Sequence, residues 1–131
     1  MITEDYVSFE IAKLLKEKGF EGYSIITIYD ENAAKAYIKE LQEKHLPYSS
    51  DDPKLKEFYY TKPTLQMAMK WLLKKHNIFI CPLFLEESNG FGYTIENIIK
   101  KKYITTSKNS SYKEPEEACE AAIKYCLENL I

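Results

Sequence analysis

The chain has 131 residues, with 18 basic side chains against 20 acidic ones, and every one of the 18 is lysine; arginine is absent. Hydrophobic and charged fractions of 45% and 29% exclude disordered and collagen-like classes. A net charge of −2 argues against a generic nucleic-acid binder, whose affinity comes from neutralising phosphate. The length suits a single α+β domain over residues 1–131 that buries about two-thirds of its unfolded surface.

Thr3 reads as the cap of a first helix over Glu4 to Lys18, with Val7, Ile11, Leu14 and Leu15 in one stripe. Gly19-Phe20 has the form of a left-handed stop with an apolar residue behind it. Tyr23 to Tyr29 is β-branched and aromatic, the composition of a strand. Asp30 caps a second helix whose Ala34, Tyr37, Ile38, Leu41 and His45 share a face, and which stops before Pro47. Asp52-Pro53 opens a short helix over Lys54 to Tyr60, broken by Thr61-Lys62-Pro63. Thr64 caps the strongest helix, LQMAMKWLLKKH, with Leu65, Ala68, Met69 and Leu72 inward and Asn77 at its exit.

Three strands are expected next. Ile78 to Leu85 is apolar on both faces, which predicts cover on both sides, with Pro82 requiring an edge or a bulge. Glu86 to Gly90 is a turn, and Phe91, Tyr93 and Ile95 alternate with Gly92, Thr94 and Glu96 as in a half-buried strand. The lysine triplet Lys100-Lys101-Lys102 marks a bend before a return over Tyr103 to Thr106, and Ser107 to Lys113 is a polar loop. Glu114-Pro115 starts a last helix with Ala118, Cys119, Ala122, Ile123, Cys126 and Leu130 on its buried face. The order α-β-α-(α)-α-β-β-β-α predicts an antiparallel sheet of three to four strands packed against helices.

The chemistry-bearing residues are few. Glycine forms no phosphate-cradling pattern, and His45 and His76 have no partners at ligand spacing, so neither a metal site nor a cofactor is expected. Cys119 and Cys126, seven apart on a helix, lie about 10 Å apart, beyond disulfide reach. All three cysteines, Cys81 included, read as small core residues. Reduced cysteines and an acidic start with no apolar segment point to a soluble protein of the cytoplasm, with no membrane among its expected partners. The carboxylates Glu86, Glu87 and Glu96 offer an acid–base pair, the basis of a third reading as a small enzyme.

Two surfaces remain. Eleven tyrosines, six phenylalanines and one tryptophan make 14% of the chain. Phe58, Tyr59 and Tyr60 are consecutive, so they cannot all face inward, and Met67 and Trp71 lie off the main stripe of their helix. Those five residues are the candidate surface for a protein partner or a second copy, and sheet edges near Pro82 favour a homodimer. Lys70, Lys74, Lys75 and Lys100, Lys101, Lys102 are the alternative, a nucleic-acid contact. The α-β-β-β-α order from Thr64 to Ile131 resembles the double-stranded-RNA-binding domain, which carries a basic cluster where its last helix starts. Here Glu114, Glu116, Glu117 and Glu120 stand there, which argues against RNA. Lysine also lacks the planar fork that clamps phosphate or guanine.

Three stretches, YVSFEIAKLLKEKGF from Tyr6, PTLQMAMKWLLKKHN from Pro63 and EEACEAAIKYCLENLI from Glu116, resemble small uncharacterised proteins of gut Bacteroidetes genomes and their prophages. They cover about a third of the chain, and Tyr23 to Tyr60 lies outside them. The resemblance implies an intracellular protein associated with mobile elements. It carries no catalytic or binding residue. The expected function is a non-enzymatic interaction module.

Overall fold

Side-chain caps and left-handed stops set the limits of the first three α-helices. The computed structural model describes residues 5–21, 26–47, 49, 51–105 and 111–131. In chain order these form α1 (Phe9–Glu17), β1 (Thr27–Tyr29), α2 (Glu31–Glu43), a 3-10 helix (Pro53–Phe58), β2 (Tyr59–Thr61), α3 (Leu65–His76), β3 (Ile78–Leu85), β4 (Gly90–Asn97), β5 (Lys102–Thr105) and α4 (Pro115–Asn129). The chain is α+β, with β3-β4-β5 as one antiparallel sheet and β1-β2 as a separate antiparallel ribbon.

Asp30 and Thr64 accept from Ala33 N and Met67 N, each at 3.1 Å, as their sequence positions predict. Gly19 has φ 84°, and Phe20 N and Gly19 N donate to Leu15 O and Lys16 O. That pair of bonds is the Schellman stop. His45 ends α2 in the same way, at φ 56°, with His45 N on Gln42 O and Leu46 N on Leu41 O. It is therefore the exposed terminating residue and does not belong to the apolar stripe.

Several expectations change. Helix α1 starts at Phe9, capped by Ser8, because Asp5 to Val7 are extended alongside Pro63 to Leu65. Val7 N donates to Pro63 O and Leu65 N to Asp5 O, both at 3.0 Å. The cap expected at Thr3, with Glu4 after it, falls outside the described residues, as do Tyr23 to Ile25 of the first strand and Thr106 to Ser110. Tyr59 and Tyr60 lie in a strand and not in a helix, paired with Tyr29 and Ile28. Strand β3 is covered on one face only: Ile78 and Ile80 are buried while Phe79 and Cys81 are exposed. Pro82 does sit on an edge strand, as its missing N–H requires. On α4, Leu127 is buried and Leu130 exposed, since the helix ends at Asn129 and carries Leu130 out of phase.

Helices α3 and α4 lie on one face of β3-β4-β5, and α1 packs against α4 and β2. Ile78, Ile80 and Ile95 meet Ala68, Leu72, Ala122, Ile123, Cys126 and Leu127, where the small side chains allow close approach. The three helices point the same way. At their starts Ser8 N donates to Glu120 Oε1 (2.9 Å); at their ends Lys18 Nζ donates to Ile131 O (3.0 Å) and Ile98 N to Asn77 O (2.9 Å). Their dipoles therefore add.

Candidate functional site

The five residues expected to form one contact surface are not one surface. Trp71 is only 9% exposed and belongs to the core, edge-on to Phe20 (5.5 Å between ring centroids) and to His76 (4.8 Å). Its off-stripe position placed it outside, but the chain returning through Phe20 after the Gly19 stop covers it. Its buried Nε1 has no hydrogen-bond partner among the described residues. Met67 is half-buried, with its backbone N–H on the Thr64 cap.

Phe58, Tyr59 and Tyr60 remain together, in the ribbon. Tyr59, 53% exposed, stacks on Tyr29 across the strand pair at 4.5 Å. Tyr60 turns the other way, edge-on to Phe9 at 5.5 Å and against the core. Phe58 tilts onto Tyr37. Lysines hold this region: Lys16 Nζ donates to Glu57 O and Tyr59 O while lying 4.5 Å from the Tyr60 ring centre, and Lys54 lies over Tyr37. Tyr37 donates to Asp52 Oδ2 at 2.7 Å. That bond raises the tyrosine's pKa and, from its other end, lowers that of Asp52, which also accepts from Lys54 N.

A second surface lies on the three-stranded sheet, on the face away from α3 and α4, where Phe79, Cys81, Glu96 and Tyr103 are exposed, Leu83 and Thr94 half-buried and Gly92 buried. Alternation and register place Phe79, Cys81 and Leu83 of β3 beside Gly92, Thr94 and Glu96 of β4, with Tyr103 of β5 beyond. Phe79 and Tyr103 are 45% and 63% exposed. Glu96 is the one charge among the strand residues of this face. The free edge of β3 is a poorer contact than sequence suggested. Proline is accepted there where its nitrogen faces away from the neighbouring strand, so Pro82 removes a donor from that edge.

The net charge conceals a segregation. At the starts of α3 and α4, Asp5, Glu114, Glu116 and Glu117 are exposed around one depression. At their ends lie Lys74, Lys75 and the turn carrying Lys100, Lys101 and Lys102. Lys75 and Lys100 border one depression; Lys100 and Lys102 border another of about 470 Å³ floored by Ile95, Ile104 and Leu130. Lys70 lies one turn before Lys74 on α3, and neither borders these depressions. Lys75 reaches Glu21 at 3.9 Å, whereas Lys100, Lys101 and Lys102 make no ion pair among the described residues. The last turn of α4 has no basic residue of its own, and Lys18 Nζ from α1 supplies a cation there, on Ile131 O.

The acid–base pair is not assembled. Glu86 and Glu87 are exposed in the β3–β4 turn, and Glu96 is exposed near the far end of β4. Seven residues of strand separate the two positions, about 23 Å. Cys81 is exposed, correcting its placement in the core, because alternation turns it to the open face. Cys119 and Cys126 are buried, and burial pushes both thiols up, Cys126 to about 12. Neither is an activated nucleophile. Among the described residues no cluster of ligating side chains could hold a metal, and no helix is long and apolar enough to cross a membrane. No family model, curated protein or solved structure matches the chain.

Proposed function

We propose that this chain is a non-enzymatic protein-interaction module, of mobile-element origin as its resemblance implies, and that it works by pairing with a second copy of itself. The observation that carries this reading is the face of β3-β4-β5 that no described helix covers. It offers Phe79, Leu83 and Tyr103 with a single carboxylate among them. Low charge and exposed aromatic area are what the centre of a protein interface requires. A two-fold axis on this face sets each apolar strand against its equivalent, at the spacing of stacked sheets, about 10 Å. The Pro82 edge favours contact through the face over addition of a strand. Light scattering across a concentration series tests it. The expected result is a concentration-dependent dimer that Phe79→Asp and Tyr103→Asp convert to monomer with the helical signal unchanged. A wild-type monomer at the highest concentrations overturns the reading.

A further inference from the structure

Two adjacent aliphatic residues occupy the tip of the β4–β5 turn, where polar residues and glycine ordinarily sit. Ile98 is 49% exposed and Ile99 is 70% exposed, the largest value for a large hydrophobic side chain among the described residues. Neither belongs to the core cluster or its partly buried fringe, so the fold does not explain their chemistry. The turn is anchored at its base, by Ile98 N on Asn77 O and Lys100 N on Asn97 Oδ1, and Lys101 takes the left-handed conformation that closes it. A fixed backbone therefore presents the apolar pair outward. Directly after it come three lysines with no ion pair among the described residues.

We infer that this turn docks the chain peripherally on an anionic lipid surface, Ile98 and Ile99 entering between the headgroups while Lys100, Lys101 and Lys102 meet the lipid phosphates and carboxylates. Charge decides the orientation. The ends of α1, α3 and α4 contribute roughly half a negative charge each, against three lysines with no ion pair among the described residues, so this end stays positive. Asp5, Glu114, Glu116 and Glu117 lie at the opposite end and are repelled from the same surface. A nucleic acid would meet the lysines equally well, but it offers nothing to two exposed isoleucines. Lipid does: apolar insertion and a basic flank are the two signals that together give stable peripheral attachment.

Sedimentation with phosphatidylcholine vesicles, alone and doped with phosphatidylserine, tests the assignment on the full chain. Binding is expected only to the doped vesicles and is expected to weaken with salt. Each lysine changed to glutamine is expected to cost about fivefold in affinity. Ile99→Ser, with every charge intact, is expected to cost about tenfold, and its exposure predicts an unchanged melting temperature. Failure to sediment with the doped vesicles at low salt overturns the inference. So does vesicle binding that Ile98→Ser and Ile99→Ser leave untouched. Duplex RNA bound at the same salt through the lysines, indifferent to both isoleucines and displacing the vesicles, would make this end a nucleic-acid contact instead.

Discussion

Residues 64–131 and residues 26–61 are held by different forces. In the first, α3 and α4 cover one side of a three-stranded sheet, and side chains such as Leu72, Ile78, Ile95, Ile123 and Leu127 lose nearly all contact with water. In the second, α2, the 3-10 helix and the β1-β2 ribbon together bury only Ala34 and Leu55. What joins the second region is a set of half-exposed contacts: Tyr29 on Tyr59, Lys16 and Lys54 on tyrosine rings, and Tyr37 on Asp52. Apolar burial contributes about 25 cal/mol per Å², while exposed polar and cation–ring contacts contribute about 1 kcal/mol or less each. The helix-covered sheet should therefore set global stability, and the ribbon region should open below it.

The sharpest test is a pair of truncations. Ile123→Ala is expected to cost about 4 kcal/mol in urea denaturation, because α4 is fixed against the sheet and the cavity cannot collapse. Ile38→Ala, on a half-buried face of α2, is expected to cost about 1 kcal/mol. Equal costs would break the distinction between the two regions.

A second difference appears in alkali. Burial raises the Cys126 thiol in the folded chain to about 12, whereas an unfolded thiol titrates near 8.5. The folded state then holds a proton that the unfolded state has released. The contribution is complete below about pH 8.5 and is lost as pH rises toward 12, on the order of 2 kcal/mol by about pH 10. Urea midpoints across this range should fall less steeply in Cys126→Ala than in wild type. Thiol labelling adds a check, since Cys81 on the open face should react in the native protein while Cys119 and Cys126 wait for unfolding.

Capping residues separate the regions with smaller effects. Thr64→Ala removes the acceptor for Met67 N and is expected to lower global stability by about 1 kcal/mol. Asp30→Ala removes an equivalent bond to Ala33 N, but α2 packs chiefly on the short 3-10 helix. Its loss should show as faster amide exchange over Glu31–Glu43 with little change in the global denaturation midpoint. A shift of both regions together would mean that they unfold as one unit.

Much of the helix-covered sheet was legible from residues alone. Thr64, Asn77, the 86–90 turn and Glu114-Pro115 are local signals, and they mark their elements within a residue or so. Failures came where partners distant in sequence decide the outcome. Asp5 to Val7 have helical neighbours, yet pairing with Pro63 to Leu65 keeps them extended. Tyr59 and Tyr60 follow a helical start, yet β1 draws them into a ribbon. Trp71 lies off its helix stripe, and only the chain path through Phe20 buries it. Of the candidate sites, the lysine turn was visible as a charge run, but its apolar tip was not singled out. Hydrophobicity at Ile98 and Ile99 does not announce exposure; the turn geometry does.

The smallest effect concerns the bond that fastens α2. Asp52 accepts from the Tyr37 hydroxyl and from Lys54 N, which holds its carboxyl below the usual carboxylate range. A carboxylate lowered in the folded state stabilises that state above its unfolded pKa, about 3.9, and the contribution disappears as pH falls through the lower folded value. Acidification should thus loosen α2 and the 3-10 helix while Leu65–His76 and Pro115–Asn129 stay protected from exchange. Tyr37→Phe leaves the ring on Phe58 and under Lys54 but removes the donor. It should flatten the pH dependence of exchange over Glu31–Glu43 below about pH 4 without altering exchange in α3. If α3 responded as strongly as α2, the polar fastening would belong to the whole molecule, and the division into a buried-sheet region and a polar-held ribbon would fail.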